Sequence, residues 1–490
     1  MAIGEQCKDR LLGNRDLSKS HYLLIFLVVA FALRLGRFLI LPSIYFPDEI
    51  FQTQEVAHRL AYGYGVITWD QRFGLRSWVL PAIISGVMKA TRWLAPGSAG
   101  YTLGVAIFFS LLSLLPVWFA FSWCRRYLGM QFAFLSAFAI TIWFELVNFG
   151  ARAFSEFIAG NLLLPAIYLG SWKSGEKPDN RWRLFVAGLL LGLAVSFRVQ
   201  FAPAVLLAGL WIVGKDWKRR ILPVALGSLG VLAIFGIVDS FTLGFPFYSY
   251  YALFTENIVH HKAANFGVLP WYYFFATLFV HAGPLPLLAL IGVRRSPILG
   301  WLALAVLLPH SMISHKEFRY IYPVIPLMIT LASIGLLDLF HVLDEKMRWQ
   351  LSANAKLASA AGLILACSLV LAMQFPKWDK DRGNLLAFGK ISKDYAACGV
   401  AIVNIHWWDT GGYTYLNKQI PIFYFTDSAN ANSESQAFNR IVAPQTNLES
   451  FKNFSVAECQ DGVCTLQREG LCQPGAGEFE INAYLKSRGD

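Results

Sequence analysis

Apolar residues in this chain fall in runs of roughly 17 to 22, near the length a bilayer crossing requires. They occupy about 22–42, 101–122, 129–149, 156–173, 184–200, 221–240, 272–292, 297–313, 320–341 and 354–375, with a shorter run at about 201–214. Each predicts a helix, for about eleven crossings. The hairpin around Arg198 is the weakest pair, because its second run is short and Pro203 interrupts it, so a re-entrant or tilted hairpin fits equally. Ser77 to Ala95 is apolar but carries Pro81, Lys89 and Arg92, and it predicts an amphipathic helix lying at the outer interface. After Pro376 no membrane-length run remains. An alternating stretch at Val400 to Ile405 and turn-rich connections predict a small soluble α/β domain. The expected architecture is an all-α polytopic membrane protein over 1–375, with an outer loop at 43–100, followed by a soluble outer domain at 376–490.

The polar positions set the orientation. Short loops holding Arg125 and Arg126, Lys173 to Arg183, Lys215 to Arg220, Arg294 and Arg295, and Lys346 and Arg348 fall on one side under this count, as the positive-inside rule demands of the cytoplasmic face. The Asp48 loop, the Arg152 and Arg198 turns, the Asp239 to Trp271 loop and the His315 to Arg319 turn then all face outward. The first run follows Lys8, Arg10, Arg15 and Lys19 and is of full span length, so it is expected to stay as an anchor and not to be a cleaved signal.

Composition agrees: 56% hydrophobic and 15% charged residues suit a polytopic membrane protein and no ordinary soluble domain. The net charge of +11 sits mostly in the loops and reflects topology, so no nucleic-acid partner is expected. Four of the seven cysteines, Cys398, Cys459, Cys464 and Cys472, lie in the C-terminal region, which predicts two disulfides in an oxidising compartment, with three connectivities open. Zinc is the competing reading, weakened by a spacing that is not a two-residue knuckle.

Chemistry concentrates at the outward turns. Asp48 and Glu49 follow Pro47 directly after the first span; a carboxylate at a water-to-lipid boundary can accept a proton from a sugar hydroxyl, and desolvation raises its pKa toward useful base strength. The bland alternative is that Asp48 caps the helix that follows. The Ser314 to Leu327 turn holds His315, Lys316, Glu317 and Arg319; Lys316 and Arg319 on one turn of the following helix would share a face and clamp a phosphate, with Glu317 pairing with either. Arg152 and Arg198 stand alone at outward helix ends, and Arg34 and Arg37 lie within reach of Asp48 and Glu49. The aromatic run at Trp271 to Phe275 reads first as an interfacial belt. His260 and His261 are adjacent, so a helix cannot turn both to one metal, and no metal or cofactor is expected.

In these residues the chain resembles glycosyltransferase family 22, the polyprenol-dependent mannosyltransferases that elongate dolichol-linked oligosaccharide and the GPI-anchor core. Three motifs carry the likeness in order: Phe46-Pro47-Asp48-Glu49 with Gln52, Glu55, Tyr64-Gly65 and Thr68-Trp69; Gly267 with Pro270-Trp271; and His315-Lys316-Glu317 with Arg319. The family has His where Phe46 stands. The resemblance implies a GT-C fold and a multi-span enzyme that takes mannose from a polyprenyl phosphate and transfers it with inversion to a glycan or glycolipid acceptor on the outer face. It implies Asp48 as general base with Glu49 beside it in the catalytic pair, fixing its geometry. Lys316, Arg319, His315, Arg198 and Arg152 would hold the donor phosphate, and Gln52, Glu55, Trp69 and Trp271 the substrates. Brief loops and the Phe46 departure point to a bacterial inner membrane with a periplasmic site. Another lipid-linked sugar, or a lipid-linked sugar flippase, is the alternative; the flippase predicts inverted repeats, which are not seen.

Overall fold

The computed structural model describes residues 3–171, 180–375, 377–473, 475 and 477–488, with side chains from residue 21 onward, 447 apart. The expected cytoplasmic loop around Lys173 therefore lies largely outside the described residues. Every predicted apolar run forms helix. Among the described residues five helices are long and apolar enough to cross a bilayer, including His21–Ile40, Trp217–Leu243, Val324–Met347 and Ala353–Gln374, and six if a bent pair is counted as one span. The structure thus supports a multi-span helical bundle without fixing the count at eleven.

Two of the runs have breaks the hydropathy does not mark. The run at 272–292 folds as Tyr273–Ala282 and Leu285–Gly292, bent by 103°. Gly283, at φ +54°, takes the left-handed conformation at the corner and Pro284 starts the second arm. The run at 129–149 breaks at Trp143 into Met130–Ile142 and Phe144–Phe149, and Ser368 Oγ accepts the freed Phe144 N–H at 3.0 Å. Pro203, read as an interruption, sits instead in the first turn of the helix Ala202–Val213, where its missing N–H costs nothing. Elsewhere glycines bring helices close. A Cβ on Gly335 would run into the Leu288 carbonyl, and one on Gly292 into that of Leu331.

The outer segment holds the expected amphipathic helix at Val79–Thr91, with Leu80, Ile84, Ser85 and Met88 buried on one face. Its 13 residues are too few to cross. Beyond residue 376 lies a five-stranded sheet of order β2-β1-β3-β5-β4: β1 (Val400–Val403), β2 (Ile422–Phe425), β3 (Arg440–Pro444), β4 (Ser455–Gln460) and β5 (Val463–Gln467). β1 pairs in parallel with β2 and β3; β5 runs antiparallel to β3 and β4. The alternation read at Val400 to Ile405 does not translate into one wet face, because β1 is central and buried on both sides. The disulfides are Cys398–Cys472 and Cys459–Cys464, the second joining β4 to β5. One face of the sheet shares a hydrophobic cluster with the first outer loop, where Ile44, Ile50 and Phe51 meet Phe388, Tyr413 and Leu416.

Candidate active site

Pro47 and the carboxylate pair open a π-helix, Glu49–Gln54, whose wider turn separates the two acids. Asp48 stands at its N-cap position but makes no side-chain capping bond, so the cap reading fails. Its Oδ2 accepts from Arg319 Nη2, and the side chain keeps 27% exposure. Glu49 turns the other way, buried, and accepts from Tyr45 N at 2.7 Å and Arg152 Nη1 at 2.7 Å. These bonds lie at the entry to the π-helix.

Arg319 is the hub. Besides Asp48 it donates to Glu317 Oε2 at 2.6 Å and Glu156 Oε1 at 3.1 Å, and Arg198 Nη2 reaches the same Glu156 oxygen at 3.2 Å. His315 Nε2 lies 2.9 Å from Glu317 Oε1, and Arg319 itself lies over the Phe46 ring at 5.2 Å. The aromatic face at position 46 thus supports the guanidinium where the family's His would offer a ring nitrogen. Burial raises the Asp48 carboxyl above its ordinary value, against the pull of Arg319. For Glu317 burial also pushes upward, but Arg319 and His315 outweigh it and hold that carboxyl well below the usual range. Two carboxylates in one cluster are thereby pushed in opposite directions, and both line one cavity.

That cavity, about 460 Å³, is lined by Asp48, Gln52, Trp69, Arg76, Arg198 and His315 among others. A narrow extension of about 50 Å³ runs from Arg76 and Arg198 past Leu253 to Phe235 on the helix Trp217–Leu243. Trp69 stacks on Phe266 at 6.0 Å, with the Lys262 ammonium 5.5 Å from its ring, so the 255–266 loop supplies one wall.

Four predicted residues lie elsewhere. Arg152 spends its donors on Ser43, Asn148 and Glu49. Lys316 is not on a helix with Arg319: the chain is extended until the 3₁₀ turn Phe318–Ile321, and the ammonium binds the carbonyls of Ile313 and Leu269, fastening the Gly267 to Trp271 loop to this turn. Trp271 is 69% exposed beside Tyr272 and Phe275, as a belt residue would be. Glu55 is fully buried against backbone N–H groups. Arg34 and Arg37 bind backbone carbonyls and Ser43, and neither pairs with Asp48 or Glu49. Arg319 is ringed by carboxylates, its donors directed at Glu317, Glu156 and Asp48.

Arg76 was missed. It faces the cavity beside Arg198; its Nε lies 3.5 Å from Asp70 Oδ2, and the Nε of Arg198 has no hydrogen-bond partner. Two guanidinium groups lining one cavity make a place for an anion. The usable signal was a lone cation just ahead of the interfacial helix, on the same face as the other clusters.

The fold is a helical bundle with a sheet domain packed on its first loop and a charged cavity lined by bundle and loop residues, and its likeness to solved structures is of the GT-C type. The chain superposes on ArnT from Cupriavidus metallidurans in the apo state at a TM-score of 0.60, with 16% identity, covering 94% of this chain and 100% of that one. Against the same enzyme bound to undecaprenyl phosphate the TM-score is 0.59, with 13% identity, over 94% and 99%. At residues 24–384 the sequence matches the Alg9-like mannosyltransferase family, and the chain belongs to that family. Among its relatives, GPI mannosyltransferase 3 of Yarrowia lipolytica is 32% identical over 66% of this chain and 65% of its own length. The namesake of Drosophila melanogaster is 23% identical over 84% and 73%. GPI alpha-1,2-mannosyltransferase 3 of Bos taurus is 24% identical over 71% and 65%. The match thus spans just under two thirds of the first relative. These relatives are eukaryotic, so the expected bacterial inner membrane finds no support.

Proposed function

We propose that this chain is a membrane mannosyltransferase that moves a mannosyl residue from a polyprenyl, dolichyl-type phosphate mannose to a glycolipid acceptor of the GPI type. The reaction takes place on the lumenal face of an endomembrane. Support for the donor comes from two arginines shared by the cavity and its narrow extension, and from a fold shared with an enzyme crystallised with undecaprenyl phosphate. Support for the acceptor comes from the relatives' names.

Asp48 is the general base. The acceptor hydroxyl oxygen attacks the anomeric carbon, its proton passes to Asp48, and the bond from carbon to phosphate oxygen breaks on the opposite face, with inversion. The leaving polyprenyl phosphate gathers negative charge, which Arg198, Arg76 and His315 stabilise, while the lipid tail stays among apolar residues. Arg319 keeps Asp48 ionised and oriented. Gln52 and Trp69 line the space for the sugars. The observation that carries this reading is a carboxylate free of any capping duty, partly exposed in a cavity of about 460 Å³.

The test is a reconstituted assay with dolichyl-type phosphate mannose and mannosylated GPI precursors. Wild-type protein should form a new mannosidic bond and release polyprenyl phosphate. Undiminished turnover in Asp48→Asn would remove the base, and lipid movement without a new bond would favour a flippase.

A further inference from the structure

We propose that the outer sheet domain is part of the catalytic apparatus, and that Glu55 is the positioning residue through which it sets the Asp48 segment. The inference rests on the reading of Asp48 as base.

Glu55 follows directly on the π-helix that Asp48 opens. Its carboxylate has no exposure and accepts four bonds: from Val66 N at 2.8 Å, Tyr413 N at 3.0 Å, Thr414 N at 2.8 Å and Thr414 Oγ1 at 2.6 Å. Three of the four donors belong to the sheet domain. A buried carboxylate is tolerated only when its oxygens are so satisfied, and the arrangement is correspondingly intolerant of change. Close approach has shaped the partner too. Gly412 is held at φ +53°, and a Cβ there would come within 2.9 Å of Glu55 Oε2 and 3.0 Å of Phe51.

The grip is not confined to one residue. Ahead of Asp48, Ile44 N donates to Lys380 O at 2.9 Å, and between the two, the Phe51 ring meets Trp407 at 5.0 Å. The sheet domain therefore holds the strip from Ile44 to Glu55 on both sides of Asp48, while Arg152 and Arg319 hold Glu49 and Asp48 from the bundle. Asp48 is seated between two bodies, and its reach to an acceptor hydroxyl depends on both. A misplacement of 1 Å costs on the order of 100-fold in rate. Glu55 itself does not line the cavity, so this role differs from substrate contact.

The experiment compares full-length Glu55→Gln and Thr414→Val with wild type, measuring kcat, KM for donor and acceptor, and hydrogen exchange over residues 44–56. Gln turns an amide N–H₂ toward backbone donors; Val removes one bond and leaves the carboxylate. Expected are a kcat loss of about 100-fold for Glu55→Gln and severalfold for Thr414→Val, with both KM values within about twofold and faster exchange across 44–56. Should Glu55→Gln fail to fold, Thr414→Val decides alone. Normal kcat, or a raised KM at unchanged kcat, overturns the proposal. An active Asp48→Asn alongside loosened exchange in Glu55→Gln would defeat the base assignment and leave the domain contact standing.

Discussion

As the proposed base Asp48 must work ionised, yet burial raises its pKa, opposed chiefly by Arg319 and less by Arg76. The sign follows: activity falls as pH drops through the raised value, so the acid limb of kcat/KM lies above the ordinary aspartate value of about 3.9. Replacing Arg319 with Gln should move that limb further up and lower kcat, as a pH–rate profile would register. An unmoved limb would separate Arg319 from the base. Asp48→Asn should lower kcat by about 10² to 10⁴. The cations differ in kind. Arg76→Gln removes a guanidinium that faces the cavity and pairs with Asp70, and should raise donor KM about tenfold, with a smaller upward move of the acid limb than Arg319→Gln gives. Unaltered donor affinity would clear Arg76 of any phosphate contact.

Helices owe their legibility to the bilayer, which forces backbone groups to pair within the segment, so that long apolar runs had little choice of structure. What hydropathy could not show is where a helix breaks, since the corners at Gly283 and Trp143 are set by local backbone and by Ser368 from another helix. The same limit explains the site. That Glu317 would pair with a neighbouring cation was readable from adjacency, and it binds Arg319. That Lys316 would share a face with Arg319 assumed a helix which does not begin until later. Arg152 taking Glu49, and Arg319 taking Asp48 across 271 residues, are products of packing that no spacing rule encodes. Packing itself makes a prediction at this scale. Leu285–Gly292 and Val324–Met347 approach closely enough at Gly292 and Gly335 that Gly335→Val must push them apart. The variant should melt several degrees lower in detergent, whereas Gly362→Val, with nothing within 4 Å, should not.

Seen as a whole, the molecule ties chemistry to one end of the bundle. From Arg319 the helix Val324–Met347 carries the chain away for 24 residues, about 36 Å at 1.5 Å per residue. After a short turn, Ala353–Gln374 brings it back to Lys377, whose ammonium lies 4.6 Å from the Phe46 ring. The turn at Arg348 to Ser352 is therefore at the end opposite Asp48. Charge and redox state bear independently on the proposed orientation of the two ends. Lys346 and Arg348 flank the far turn, as suits a cytosolic face, while both disulfides lie in the sheet domain that packs on the Asp48 loop, as suits an oxidising lumen. In a background with Cys7, Cys124 and Cys367 replaced by Ser, a cysteine at exposed Ser352 should react with an impermeant maleimide added outside sealed, cytosolic-face-out vesicles. One at exposed Ser487 should react only after permeabilisation. The reverse pattern would turn Asp48 toward the cytosol, where neither the disulfides nor a lumenal handover of a lipid-borne sugar would make physical sense.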